Sequence, residues 1–168
     1  MSDFLSNFEK ANKNAKRLSN KILIDGKLIS PSTDSKIKVI NPSTGEGIGD
    51  APKCNKVDVD NAVKSSLNAF KEWKKIPARE RGRLVEQGAR KLEERRDEIE
   101  TLLALDTGNA LRTQAKPETA ASIELTRMFA GLSGEIKGEN YPPNIPNTLH
   151  FTTRDPIGVV CAIVPWNA

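Results

Sequence analysis

Ile157-Gly158-Val159-Val160-Cys161-Ala162-Ile163-Val164 is an unbroken apolar run of eight residues between Pro156 and Pro165. Its length is that of a strand. Its lack of alternation predicts burial on both faces, as in the central strands of parallel sheets. Pro165-Trp166-Asn167-Ala168 follows, and there the sequence closes. A parallel strand needs a crossover of about a dozen residues before its neighbour. The run therefore reads in one of two ways. It is a central strand of the sheet of a larger protein, or it pairs with an earlier ribbon and completes a small α+β domain.

Working back from this run, Asp155-Pro156 makes a corner. Before it, Leu149, Phe151 and Thr153 alternate with Thr148, His150, Thr152 and Arg154, the pattern of a strand with one wet face. Tyr141 to Asn147 contains three prolines and is expected to be irregular. Helical spacing dominates the middle of the chain. Val59, Val63, Leu67, Phe70 and Trp73 share one helical face, with Asn55 as cap and Asp58 in the first turn. Pro77 opens a second helix with a stripe of Leu84, Val85, Ala89 and Leu92. A third, through Ile99, Leu102, Leu103 and Leu105, is expected to end near Gly108. A long fourth is expected from about Pro117 to Gly138, with Ala121, Leu125, Met128 or Phe129, Leu132 and Ile136 as its buried stripe.

Further toward the N-terminus lie two ribbons. In the first, Asp25-Gly26 between Ile22-Leu23-Ile24 and Lys27-Leu28-Ile29 is a two-residue hairpin signal. The second starts at Ile37 and Val39, turns at Asn41-Pro42-Ser43-Thr44-Gly45 and returns through Ile48. Residues 1–20 read as an N-terminal arm, in which Phe4, Phe8, Ala11, Ala15 and Leu18 give a short amphipathic helix. The fold class is thus mixed α/β: N-terminal ribbons, a helical bundle segment, then strands.

Composition narrows the function classes. The chain of 168 residues carries 26 basic and 22 acidic side chains, and residues 1–40 hold eight of one against four of the other, the whole net +4. The rest is balanced, so no nucleic-acid footprint is expected beyond a basic tip. No apolar run approaches the roughly 18–20 residues of a membrane helix. No secretory leader is recognisable, and two cysteines suit a reducing compartment, so a cytoplasmic protein without membrane partners is expected. One histidine excludes sites built on two histidines of this chain.

Individual candidates for chemistry are few. Asp106-Thr107-Gly108 spells the aspartic-protease triplet but follows a helical run, which favours a glycine-closed helix end. Gly45, Gly47 and Gly49 precede no helix, so a turn is favoured over a phosphate loop. Cys54 lacks a basic partner, and Cys161, within the apolar run, is expected to be buried and inert. Asn167 stands where ligands of open α/β sheets bind, beyond a strand's carboxyl end. An amide there could donate to a developing oxyanion. A solvent-exposed terminal Asn is the plainer alternative.

Ile22 to Ile29, Asn41-Pro42-Ser43-Thr44-Gly45-Glu46, Asp106-Thr107-Gly108, Thr153-Arg154-Asp155-Pro156-Ile157-Gly158-Val159 and Ile163-Val164-Pro165-Trp166-Asn167 occur in this order. Together they resemble consecutive landmarks of the NAD(P)-dependent aldehyde dehydrogenase superfamily, N-terminal part only. The resemblance covers the chain from about Lys21 to its last residue. It implies residues 21–168 as a partial coenzyme-binding domain of an incomplete aldehyde dehydrogenase fold, with the apolar run 157–164 as the first strand of its Rossmann-like sheet. It implies NAD or NADP as cofactor and an aldehyde as substrate. By the same resemblance Asn167 is the oxyanion donor, and Ile163, Val164, Pro165, Trp166 and Asn167 line the dinucleotide. Asp106, with the backbone carbonyl near Val39, matches a monovalent-cation site. Residues 149–154 match the oligomerisation strand of a homo-oligomer. The family's nucleophilic cysteine and general-base glutamate have no counterpart among these residues, so the chain alone is expected to be inactive. A truncated, non-catalytic module that binds full-length subunits is the alternative.

Overall fold

Asp25 and Gly26 adopt φ of 54° and 70°, the paired positive values of a type I′ turn, and they join the first two strands. The computed structural model describes residues 2–164, and the side chains of 6–164. Strands β1 (Ile22–Ile24) and β2 (Lys27–Ile29) pair antiparallel with Ile22 opposite Ile29. β3 (Lys36–Ile40) pairs with β4 (Gly47–Pro52), Val39 opposite Gly49, with a bulge between Val39 and Ile40. Their connection is closed by Asn41, whose side chain accepts from Ser43 N–H at 2.9 Å and whose N–H donates to Glu46 O at 2.8 Å. Both ribbons and the glycine-rich turn follow the sequence reading.

The arm forms helix α1 (Ser2–Leu18), and it is part of the core. Ala11 is fully buried against Ile48 of β4 and Leu105, with Phe8, Val39 and Leu102 around them. Asn20 N–H donates to Asp50 O at 2.7 Å, and Asp50 N–H to Ser19 Oγ at 2.8 Å, which ties the end of α1 to β4.

Four further helices follow: α2 (Lys56–Trp73), α3 (Ala78–Glu94), α4 (Arg96–Thr107) and α5 (Lys116–Gly131). Asn55 caps α2 in a capping box with Asp58, and Pro77 precedes α3 as expected. Gly108, at φ 75°, closes α4 by donating to Ala104 O at 3.1 Å, so Asp106-Thr107-Gly108 is a helix end. A π-helical turn at Leu111–Ala115 leads into α5.

Helix α3 packs along α5, and Gly82, Ala89 and Ala130 are buried there. The stripe expected on the last helix lies on its outer side instead. Leu125, Met128 and Phe129 are exposed, whereas Thr119, Ile123 and Ala130 are buried. The reason is steric: small residues let α3 and α5 approach closely, which the larger side chains would prevent. The helix also ends at Gly131, not Gly138, passing into a 3-10 turn at Leu132–Gly134. The α2 stripe of Val59, Val63, Leu67 and Trp73 is likewise exposed.

The chain's last described stretch departs most from expectation. β5 (Asn140–Tyr141) pairs with β6 (His150–Phe151), so the ladder within 149–154 is only two residues long. The run from Ile157 to Val164 forms no strand. Ile157 and Ile163 are each 94% exposed, and Cys161 is exposed rather than buried. A strand exists only through a ladder with a neighbour. Each of the three sheets among the described residues is a two-stranded ribbon, and none of them includes this run.

Candidate functional site

The ribbon β3–β4, the end of α1 and helix α4 enclose a groove of about 460 Å³. Ile48, Ile99, Leu102 and Leu103 make its walls apolar, and Asp50 and Asp106 bring carboxylates to it. Each is placed by a different local rule. Asp106 sits in the last turn of α4, one residue before the Thr107 hydroxyl that donates to Leu103 O at 2.8 Å. Val39 is half-buried on β3, two residues after Ile37 and on the same face of the ribbon. Asp50 lies on β4 opposite Lys38 and accepts from Lys36 Nζ at 2.8 Å. That hydrogen bond, before their mutual attraction, raises the lysine's pKa above its ordinary value.

Val39 and Asp106 both line this groove. Asp50 was not foreseen, because the second ribbon was followed only to Ile48. Continued alternation through Asp50-Ala51-Pro52 is the signal that extends it. Hard cations take oxygen ligands. Asp106 and the main chain of β3 present oxygen atoms to the groove. Among the described residues no group of three or more His, Cys, Asp or Glu could hold a metal ion.

The proposed dinucleotide residues lie elsewhere. Ile163 and Val164 are 94% and 78% exposed and are not among the residues lining the groove. Among the described residues their main-chain groups make no hydrogen bond. Pro165, Trp166 and Asn167 lie outside the described residues.

Cys54 is exposed two residues before α2, and His150 sits half-buried on β6. Neither approaches the constellation of a nucleophile and its base. No helix among the described residues is long and apolar enough to cross a membrane.

Residues 29–168 match the aldehyde dehydrogenase family. Aldehyde dehydrogenase (NAD(P)+) 2 of Saccharomyces cerevisiae is 39% identical over 140 residues, which are 82% of this chain and 28% of that protein. Among solved structures, an NADP dependent enzyme of E. coli superposes with a TM-score of 0.84 at 26% identity, over 92% of this chain and 31% of that one. Betaine aldehyde dehydrogenase of Staphylococcus aureus, in complex with NAD+, superposes at 0.77 with 28% identity, over 85% and 29%. The chain thus spans less than a third of each of these proteins.

Proposed function

Because this chain belongs to the aldehyde dehydrogenase family, we propose that it is the N-terminal part of an enzyme that oxidises an aldehyde to a carboxylic acid with NAD or NADP. The observation that carries this reading is the family match from residue 29 to residue 168, which ends on the stretch Ile163-Val164-Pro165-Trp166-Asn167.

In this reading the dinucleotide, when bound, accepts the hydride that leaves the aldehyde carbon. The chain's own residues hold and polarise. Ile163 to Trp166 offer main-chain groups and apolar surface to the dinucleotide. The side-chain amide of Asn167 donates a hydrogen bond to the oxygen that gains negative charge when a nucleophile adds to the carbonyl. A neutral, fixed donor at that point stabilises the transition state more than the ground state. Asp106 and the carbonyl of Val39 hold a monovalent cation in the groove below the ribbon. The two exposed cysteines, each unpaired, fit a reducing compartment, the cytoplasm.

The nucleophile and the general base are supplied from outside these residues, so the isolated 168-residue chain does not turn over aldehyde. The test is an aldehyde oxidation assay with NAD+ and NADP+ on that chain. Turnover above blank that is abolished by replacing Cys54 or Cys161 would overturn the reading. Grafted in place of the matched region of the yeast relative, the chain should support activity. Asn167→Ala in that graft should lower kcat by about 10²–10³.

A second reading has one specific support. Leu149 and Phe151 flank and form β6 and are 70% and 63% exposed, leaving an apolar ribbon free to join another sheet edge. In that reading the chain is a non-catalytic module that binds full-length subunits through residues 149–154. Co-purification with a full-length family member, lost on replacing Phe151 with Lys, would favour it.

A further inference from the structure

Helix α5 is apolar on two opposite faces. Thr119, Ile123 and Ala130 are buried toward the neighbouring helices. Leu125, Met128 and Phe129, with Leu132 in the 3-10 turn that follows, line the other side at spacings of three, one and three. They are 51%, 49%, 63% and 47% exposed. At the border of this stripe Arg127 pairs with Glu124 at 2.6 Å and with Glu93 of α3 at 3.6 Å. A contiguous exposed apolar stripe on the side away from the buried one marks a surface that a partner covers. The α2 stripe and the run through Val160 and Val164 are exposed in the same way.

Three such surfaces on one chain describe an interior opened along several walls, of which a second copy would cover one. The length of the matched proteins says what covers them. The chain accounts for 31% of the E. coli enzyme it superposes on, so more than two thirds of that fold lies outside it. The chain's own core, around Ala11, Ile48 and Leu105, is closed without that remainder.

We propose that the outward face of α5 is the seat for the remaining portion of the aldehyde dehydrogenase fold, and that this chain binds that portion even when it is a separate polypeptide. The inference rests on the family membership from which the proposed function also starts. It commits to a partner of defined chemistry: the catalytic remainder of a family member, presenting an apolar surface to Leu125, Met128, Phe129 and Leu132.

The test is co-expression of the tagged 168-residue chain with the part of the yeast aldehyde dehydrogenase that follows its matched region. Recovery on the tag and native mass are the readouts. A one-to-one complex is expected. The double variant L125E/F129E should lower recovery at least tenfold. Both side chains are exposed in this chain, so its own thermal unfolding by circular dichroism should not move. K64E, a charge change on the polar side of α2, should leave recovery unchanged. Where the yeast piece is insoluble, a graft of the chain in place of the matched region supplies the same partner in one polypeptide, and L125E/F129E should abolish its soluble yield. No complex together with an insoluble graft, or equal recovery of wild type and L125E/F129E, overturns the proposal. So does a homodimer that L125E/F129E dissolves. Recovery is read without turnover, so a complex that fails to oxidise aldehydes would retire the proposed activity and leave the docking face standing.

Discussion

Glu100 on α4 accepts a hydrogen bond from Arg96 Nε one turn earlier at 2.8 Å, and its other carboxylate oxygen lies 3.9 Å from Lys116 Nζ at the start of α5. Glu100 is 3% exposed, so its charge is held by these two cations and not by water. The hydrogen bond to Glu100 is the leading reason that the Arg96 guanidinium is raised above its ordinary pKa. The chain of charges continues outward, from Arg96 to Glu93 at 3.4 Å and from Glu93 to Arg127 at 3.6 Å. It ties α3, α4 and α5 together, and its energetic weight should sit at the buried end.

Glu100→Gln is expected to destabilise the chain by about 1–3 kcal/mol, because it strips a charged acceptor from a desolvated site. Glu93→Gln, at a carboxylate with 40% side-chain exposure, should stay within roughly 0.5 kcal/mol. Urea unfolding of both variants checks the contrast. Equal losses would mean that the network acts as one unit and that burial does not grade it.

Two glycines of α3 should respond oppositely to the same substitution. A Cβ on Gly82 would meet Ser133 Oγ and stand 2.5 Å from the main-chain oxygen of Ala130, whereas one on Gly88 would meet nothing within 4 Å. Ala is the better helix former by about 0.8–1.0 kcal/mol. Gly88→Ala should therefore raise stability by about that amount. Gly82→Ala should lower it, by about 1–3 kcal/mol of overpacking, because a helix carbonyl cannot step aside. G82A/S133A should recover only part of the loss. Thermal unfolding of the three variants decides the signs.

Leu105 joins α1 to the rest of the molecule. It is 1% exposed, between Ala11 and Ile48. Leu105→Ala should cost about 2–5 kcal/mol. It should also loosen α1, read as faster protease cleavage among residues 2–20. Leu125→Ala, at a side chain 51% exposed, should cost under about 1 kcal/mol in the isolated chain. Two leucines that look alike in sequence are thus separated by where the fold places them.

That difference marks how far the sequence could be read. Local signals were legible because they need no neighbour. Asp25-Gly26 fixes its own turn, Asn55 and Asp58 cap their own helix, and Gly108 ends α4. Periodicity located the stripes of α2 and α5, but a stripe does not say which neighbour covers it. The contact between α3 and α5 went to small residues, Gly82 and Ala130, which periodicity of large side chains overlooks. The run Ile157–Val164 reads as a buried strand because its composition is written for neighbours that the described residues do not include. At the candidate groove, Asp106 and Val39 came from the family resemblance. Asp50 required the register of β3 against β4, a relation between residues that no single segment carries.

Acid should weaken the junction between the first ribbons and α2 in a defined direction. The Asp58 carboxylate accepts from Ser32 N–H at 2.8 Å and from Asn55 N–H at 3.2 Å. The bond from Ser32, foremost, holds its pKa below the ordinary carboxylate value, and burial opposes this without overcoming it. In the unfolded chain the group titrates at about 3.9. Between the folded and unfolded values the unfolded state binds more protons, so stability rises with pH there. The contribution is complete above about pH 5 and is lost as pH falls through the folded value. Glu98 is depressed for the same reason, chiefly by its hydrogen bond from Arg95, and adds a slope of the same sign. Asp58→Asn should therefore lower stability at neutral pH and make the acid loss shallower, and D58N/E98Q shallower still. Asn55→Ala removes the side-chain cap for about 1 kcal/mol and keeps the slope, because the main-chain N–H groups of Ser32 and of residue 55 still reach Asp58. Urea midpoints measured from about pH 2.5 to 7 test this. A D58N profile parallel to wild type would show that the carboxylate is not held in its charged form by these amides.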